Sequence, residues 1–152
     1  MVRVRVGNTR ATVDEEDWDL VYDRWHLTSK GYARSARGLM HRIILGLTRD
    51  DHRQVDHENH DKLDNRRENL RIATRVQNGA NRGKFKGTYS SQYKGVSRHW
   101  NKWQAVIRID GKLYRLGFFD DEVSAAQAYD QAALNAWGEY ASLNYAGVED
   151  VW

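Results

Sequence analysis

Residues 55–78 read VDHENHDKLDNRRENLRIATRVQN. The stretch is crowded with His, Asn, Asp and Arg and nearly free of apolar side chains. It cannot build a core, because burying so many polar groups costs more than the few apolar ones return. Any hydrophobic core must come from the chain on either side. The segment itself must sit where its polar groups meet water, one another or a charged partner.

A chain of 152 residues has room for one medium domain or two small ones. With 40% hydrophobic and 30% charged residues, it should be soluble and folded rather than disordered. Its six Trp and eight Tyr can anchor small cores or stack on bases. The absence of cysteine excludes disulfides, Cys-based zinc ribbons and thiol nucleophiles. No apolar run is long enough to cross a bilayer, and MVRVRVGNTR has no apolar signal-peptide region. The expectation is an intracellular protein without a membrane partner.

The net charge of +3 conceals a pattern. Residues 1–64 hold 11 Lys/Arg against 12 Asp/Glu, so they are nearly neutral. Residues 65–115 hold 13 Lys/Arg against Glu68 and Asp110 alone. Residues 116–152 hold seven acids and no Lys or Arg. A basic middle between neutral and acidic flanks is the footprint of a polyanion partner, most simply nucleic acid. The bland alternative is a solvated surface whose charges balance in space.

Three segments follow from the patterning. In residues 1–50, RVRV and ATV read as short strands and SKGYARS as a hairpin. DEEDWDLVYDRW is either a helical turn or an acidic loop. LMHRIILGL is the expected main core element of this half. Residues 79–92 are rich in Gly, Ser and Lys without periodicity, the composition of a linker.

Residues 93–147 predict a three-stranded antiparallel sheet with one helix across its back. In KWQAVIRI, Trp103, Ala105, Ile107 and Ile109 share one face, and Lys102, Gln104, Val106 and Arg108 the other. Asp110-Gly111 is a two-residue hairpin turn, since both positions tolerate positive φ. KLYRLGFF returns with Tyr114 and Leu116 inward and Arg115 outward. Asp121 is the expected N-cap of a helix with small or aromatic residues at helical spacing, ended by Gly138. Trp103 and Trp137 are expected in the core, whereas Trp100, near a turn, fits core or DNA contact equally.

The polar stretch reads as strand, loop, strand and helix, with Thr74 as N-cap of the helix. That order can gather Asp56, His57 and Asn78. A carboxylate and an amide oxygen suit a hard divalent cation such as Mg²⁺ or Mn²⁺. A neighbouring imidazole can deprotonate water near neutral pH. Together they suit phosphodiester hydrolysis. Asp56 and His57 are adjacent, so the strand end must twist for both to serve one phosphate.

The same residues resemble the ββα-metal motif of HNH endonucleases, in particular the group often found in phages, and LMHRIILG resembles the segment that leads into that motif. The resemblance covers roughly residues 10–82. It implies that His57 is the general base and that Asn69 orients the loop. It also implies that Asp56 and Asn78 hold one divalent metal ion per site. Asn78 stands where many members have His. Arg66, Arg67 and Arg71 are expected to hold phosphates through charge-assisted bonds, the alternative being that they solvate the loop. His60 lies three residues from His57, but no further His or Cys nearby completes a zinc set. His41, in an apolar run, is expected to be structural or phosphate-orienting. His26 and His52 carry no assigned role.

Residues 92–146 resemble the APETALA2/ethylene-response-factor type DNA-binding domain through YKGVSRHWNKWQAVIR, YRLGFF and SAAQAYDQAALNAWGEYASLN. The resemblance implies a sheet laid in the major groove. Lys94, Arg98, Trp100, Lys102, Gln104, Arg108 and Arg115 would then lie on the DNA face. Ser97, Val106 and Arg115 depart from the plant pattern, so the plant target sequence does not transfer.

The expected fold class is α+β. An HNH nuclease domain over 1–78 is followed by a basic linker over 79–92, an APETALA2-like domain over 93–147 and a tail over 148–152. The expected function is metal-dependent cleavage of double-stranded DNA by a monomer, nicking one strand per site. The compartment would be the cytoplasm of a bacterial host if the gene is phage-borne. The alternative is a non-catalytic, sequence-specific DNA-binding regulator.

Overall fold

The alternation Val2-Arg3-Val4-Arg5-Val6 forms β1 (Val2–Val6), which pairs antiparallel with β2 (Thr9–Val13) across a turn at Gly7. Period-two alternation sends Val4, Val6, Ala11 and Val13 to one side, where all are buried. The computed structural model describes residues 1–84 and 87–145. The expected tail at 148–152, residues 146–147 of the expected sheet domain and residues 85–86 of the basic stretch lie outside the described residues. The architecture is α+β. The chain divides into two units, Met1–Asn78 and Gly79–Trp152.

In the first unit the acidic segment is a helical turn, a 3-10 helix over Glu15–Leu20. It leads to a small antiparallel sheet of β3 (His26–Leu27), β4 (Ala33–Ser35) and β5 (Gly38–Leu39). A five-residue helix, α1 (Met40–Ile44), follows. LMHRIILGL is thus a smaller element than expected. Gly46 at φ 66 leaves helical geometry, His41 packs its ring on Tyr32 and His57, and Arg42 donates to backbone carbonyls. The core is shared: Met40, Ile44 and Leu47 pack with the β1–β2 valines, Val21, Trp25, Ala33, Val55 and Leu70.

The polar stretch frames β6 (Gln54–His57) and β7 (Leu70–Ala73), an antiparallel pair, followed by α2 (Arg75–Ala80). Thr74 starts α2 with reciprocal bonds. Gln77 N donates to Thr74 Oγ1 at 3.2 Å, and Thr74 N donates to Gln77 Oε1 at 2.8 Å. That is a capping box, which satisfies two backbone donors left open at a helix start.

In the second unit β8 (Val96–His99), β9 (Lys102–Ile109) and β10 (Lys112–Phe119) form an antiparallel sheet in the order β10-β9-β8. Asp110 (φ 49) and Gly111 (φ 79) make the β9–β10 turn. The long helix α3 (Glu122–Trp137) starts at Asp121, whose carboxylate accepts from Ser124 N at 2.8 Å. Its Ala125, Ala126 and Ala133 are fully buried, so the helix lies close on the sheet. Asp130, also buried, accepts from Asn144 N and Tyr145 N and so ties down the chain that follows the helix.

The basic stretch is less free than its composition suggests. Lys84 Nζ donates to the carbonyls of Ser91 (2.6 Å) and Tyr93 (2.7 Å). Lys94 Nζ donates to those of Ala80 (2.9 Å) and Arg82 (2.6 Å). Composition registers these lysines as charge, whereas the fold uses them as donors that satisfy carbonyls. Among the described residues no helix is long and apolar enough to cross a membrane.

Candidate functional site

The site is built on the β6–β7 pair. Asp56 stands opposite Arg71 in register, and His57 opposite Leu70. Arg71 Nε and Nη2 both lie 2.9 Å from Asp56 Oδ2. Gln54 shares the Asp56 face, two residues back along the strand. Asn78, on α2, donates its Nδ2 to Gln54 Oε1 at 2.9 Å. That bond brings Asn78 to the Asp56 side and leaves Oδ1 as the end of its amide that can ligate a cation.

His57 is the last residue of β6. His60 N returns to His57 O at 3.0 Å, and His60 adopts φ 65, so the chain turns there. The His57 ring is buried. It meets the His41 ring edge-on at 5.1 Å and lies 5.9 Å from Tyr32. Its Nε2 is 3.4 Å from Asn65 Oδ1. Burial lowers the His57 pKa, and the hydrogen bond to Asn65 and the charges of Asp56, Asp61 and Asp64 oppose the shift. The imidazole is therefore neutral at physiological pH, the form a base requires.

Asn69 ties the loop at both ends. Its Nδ2 donates to Asp64 O at 2.7 Å, its Oδ1 accepts from Asn59 N at 3.0 Å, and its backbone O accepts from Glu58 N at 3.0 Å. Asp64 gathers Asn59 Nδ2 (2.8 Å) and Arg66 Nη2 (2.7 Å) on one oxygen. The loop is anchored to β2 by Thr12 N to Leu63 O and Asn65 N to Thr12 O. A polar loop thus holds its shape through hydrogen bonds where apolar packing is lacking.

Asn65 carries no signal in the sequence, and Arg42 is marked there only as part of the lead-in segment LMHRIILG, without a role. Asn65 is fully buried and faces His57, yet in a run of Asn, Asp and Arg nothing distinguishes it. If Asn65 Oδ1 accepts from Nε2–H, the basic lone pair of His57 is on Nδ1. Arg42 donates to the carbonyls of Thr48, Asp51 and Arg53 and so fixes the approach to β6.

The three loop arginines expected at phosphates all have acidic partners within the unit. Arg66 binds Asp64 and Glu68. Arg67 makes a bidentate pair with buried Asp17 (2.7 and 2.9 Å) and donates to Ile44 O. Arg71 holds Asp56.

Asp56 and Asn78 offer a carboxylate and an amide oxygen, donors of the kind a hard divalent cation takes, with Asp56 Oδ2 also held by Arg71. Among the described residues, no three of His, Cys, Asp and Glu gather as ligands. A site here would draw on one carboxylate, one amide oxygen, water and substrate phosphate. That is the mode of Mg²⁺, which keeps several waters and uses few protein ligands.

His41 makes the same environment measurable. Burial, with help from His57 and Arg42, pushes its pKa down to about 3. The unfolded imidazole takes up its proton near pH 6.5. Between these values the unfolded state binds more protons, so stability is full above pH 6.5 and falls as pH drops toward 3. The expected loss is about 1.4 kcal/mol per pH unit from His41 alone. Thermal melts of the first unit from pH 7 to 4 should show this slope, and His41→Gln should flatten it. An unchanged slope in the variant would assign the acid sensitivity elsewhere.

In the second unit the register fixes which side chains face away from α3. Ser97 and His99 on β8 pair with Gln104 and Lys102 on β9 and share that outward side. On β10, Leu113, Arg115 and Phe118 pair with Arg108, Val106 and Gln104. Lys102, Gln104, Arg108 and Arg115 therefore lie together on the outward face. Arg98 pairs with Trp103 instead and stacks on its ring at 4.9 Å, on the helix side. Lys94 is turned to its two carbonyls, and burial lowers its pKa to about 8. Trp100 sits in the β8–β9 turn at φ 56 and is 87% exposed, so it belongs to the surface. Trp103 and Trp137 pack against the core.

Comparison with known proteins finds similarity to two kinds of protein. A family model described as HNH endonuclease matches residues 50–80. An HNH endonuclease of Acanthamoeba polyphaga mimivirus is 32% identical over 149 residues, which cover 92% of this chain and 77% of that one. An AP2-like ethylene-responsive transcription factor of Arabidopsis thaliana is 41% identical over 71 residues, 39% of this chain and 17% of that protein. APETALA2-like protein 2 of Oryza sativa subsp. indica is 34% identical over 132 residues, 82% of this chain and 28% of that protein. The chain thus spans less than a third of either plant relative's length. No solved structure matches significantly. The C-terminal region is what these AP2-like plant proteins share similarity with. With the family match falling on β6, β7 and α2 and the viral relative aligned along most of both chains, the protein belongs to the HNH endonuclease family.

Proposed function

We propose that the protein is a divalent-metal-dependent endonuclease of double-stranded DNA. His57 acts as general base on the attacking water. Asp56 and Asn78 hold one Mg²⁺ or Mn²⁺ ion, which when bound stabilises charge on the scissile phosphate. Asn69 fixes the loop that carries the base. The outward face of the second unit's sheet, with Lys102, Gln104, Arg108 and Arg115, anchors the enzyme on its target. One site per monomer favours nicking.

One observation carries this reading: a buried histidine, its pKa lowered by that burial, stands beside an acid at a strand end, and an asparagine with three loop bonds holds the connecting loop. A purely structural histidine has no need of an adjacent acid that shares its face with an amide oxygen. Arg66, Arg67 and Arg71 contribute through the acids they hold and so shape the site from inside.

Incubation of a randomised supercoiled plasmid library with Mg²⁺ or Mn²⁺, followed by mapping of cut ends, tests the reading. Open circles cut at a shared sequence, abolished by EDTA, are the expected result. Selective binding without any cleavage in either metal would make the protein a non-catalytic regulator instead.

A further inference from the structure

The outward face of the second unit's sheet carries a side chain that phosphates cannot use. Phe118 lies opposite Gln104 and is 45% exposed. A shift in register between Arg115 and Gly117 sets its phase. Phe119, the next residue, turns inward and packs on the core. The Phe118 ring is held in place by the His99 ring at 5.0 Å and by the Arg115 guanidinium at 5.7 Å.

Around it stand Lys102, paired with Asp120, Arg108, which donates to the Gly111 carbonyl, and Arg115, a net basic surround that complements a polyanion. A phenyl ring offers no hydrogen bond and gains only by losing water against an apolar group. On base edges in the major groove that group is the 5-methyl of thymine. Gln104, directly across the ladder, has the complementary chemistry: its amide can bond adenine N6 and N7 together. Cross-strand partners have Cβ atoms about 5 Å apart, close enough to address one base pair or two neighbouring ones.

We propose that Gln104 and Phe118 form a cross-strand pair that selects an A·T base pair, with Phe118 on the thymine methyl and Gln104 on the adenine edge. His99 and Arg115 position the ring. The inference rests on the reading that this sheet docks on duplex DNA.

The test uses the full chain in EDTA, so that binding is measured without cleavage. Selection from a random duplex library should return sites with an A·T pair at one fixed position. Replacing that thymine by uracil removes only the methyl group and should weaken wild-type binding about three- to tenfold. Phe118→Ser should bind the thymine site correspondingly less well and be indifferent to uracil. Phe118→Leu, which keeps an apolar side chain, should retain part of the preference, and melting curves confirm that both variants fold. Fixed positions that are all G·C would overturn the proposal, as would a wild type indifferent to uracil at every thymine. A Phe118→Ser variant that keeps the uracil penalty would overturn it too. Failure to bind any duplex would remove the docking reading and this inference together.

Discussion

Replacing His57 by Ala is expected to slow strand cleavage by about a hundred- to ten-thousand-fold, the range a positioned general base supplies. DNA affinity should hardly change if, as proposed, the sheet of the second unit carries the docking face. The argument runs through the surroundings of the ring. His41, Tyr32 and Asn65 enclose it, and burial keeps it neutral. Alanine would also leave a gap against His41 and Tyr32. His57→Gln, closer in volume, therefore separates lost chemistry from lost packing. Both variants should bind the mapped target like the wild type and leave it uncut. Cleavage at the wild-type rate by either would remove His57 from the mechanism.

Gly95→Ala is expected to be the most destabilising single substitution in the second unit. Gly95 lies at φ 75, and a Cβ there would stand 2.0 Å from Tyr129 Cδ2 and 2.7 Å from the Val106 carbonyl. Tyr129 is a buried core residue of α3, so its ring has little room to retreat. Overpacking together with left-handed backbone strain should cost about 3 kcal/mol or more. Hydrogen exchange of β9 and α3 amides reports this unit directly. Those amides should exchange at least a hundredfold faster, while β1, β2 and β6 keep their protection. Unchanged exchange would mean that the helix shifts to admit the methyl group at little cost.

What the sequence disclosed depended on how far the relevant partner lay along the chain. Local devices were legible: the Asp110-Gly111 turn, the Asp121 cap and the Thr74 cap each involve residues within a few positions. The face of β9 was legible because eight residues alternate without a break. The phase of β8 was not, because the strand is short and the tight turn at 100–101 sets its register. Arg98 therefore falls on the Trp103 side and His99 faces outward. The arginines of the polar loop look alike in sequence, yet the Asp17 that receives Arg67 lies 50 residues away. Burial of Asn65 against His57 is likewise a tertiary fact. Asp56, His57 and Asn78 were legible as a group from the order of the elements and the chemistry of their side chains, whereas Asn69 and the role of each position came from resemblance to a family.

The internal pairing of the basic segment also bears on counterions. Arg66, Arg67, Arg71, Lys84 and Lys94 are already turned to carboxylates or carbonyls of their own unit. A cation so placed is turned away from phosphates, so it displaces fewer of the counterions condensed on a duplex. Binding should therefore follow ionic strength with a log–log slope several units shallower than the roughly −12 that all 13 Lys and Arg of residues 65–115 would give if each met a phosphate. The middle of the chain is highly charged by composition, but much of that charge holds the protein's own backbone and loops in place. Lys102 and Arg108 on the outward sheet face are held in the same way, by Asp120 and by the Gly111 carbonyl, so the proposed docking surface too must exchange internal partners for phosphates.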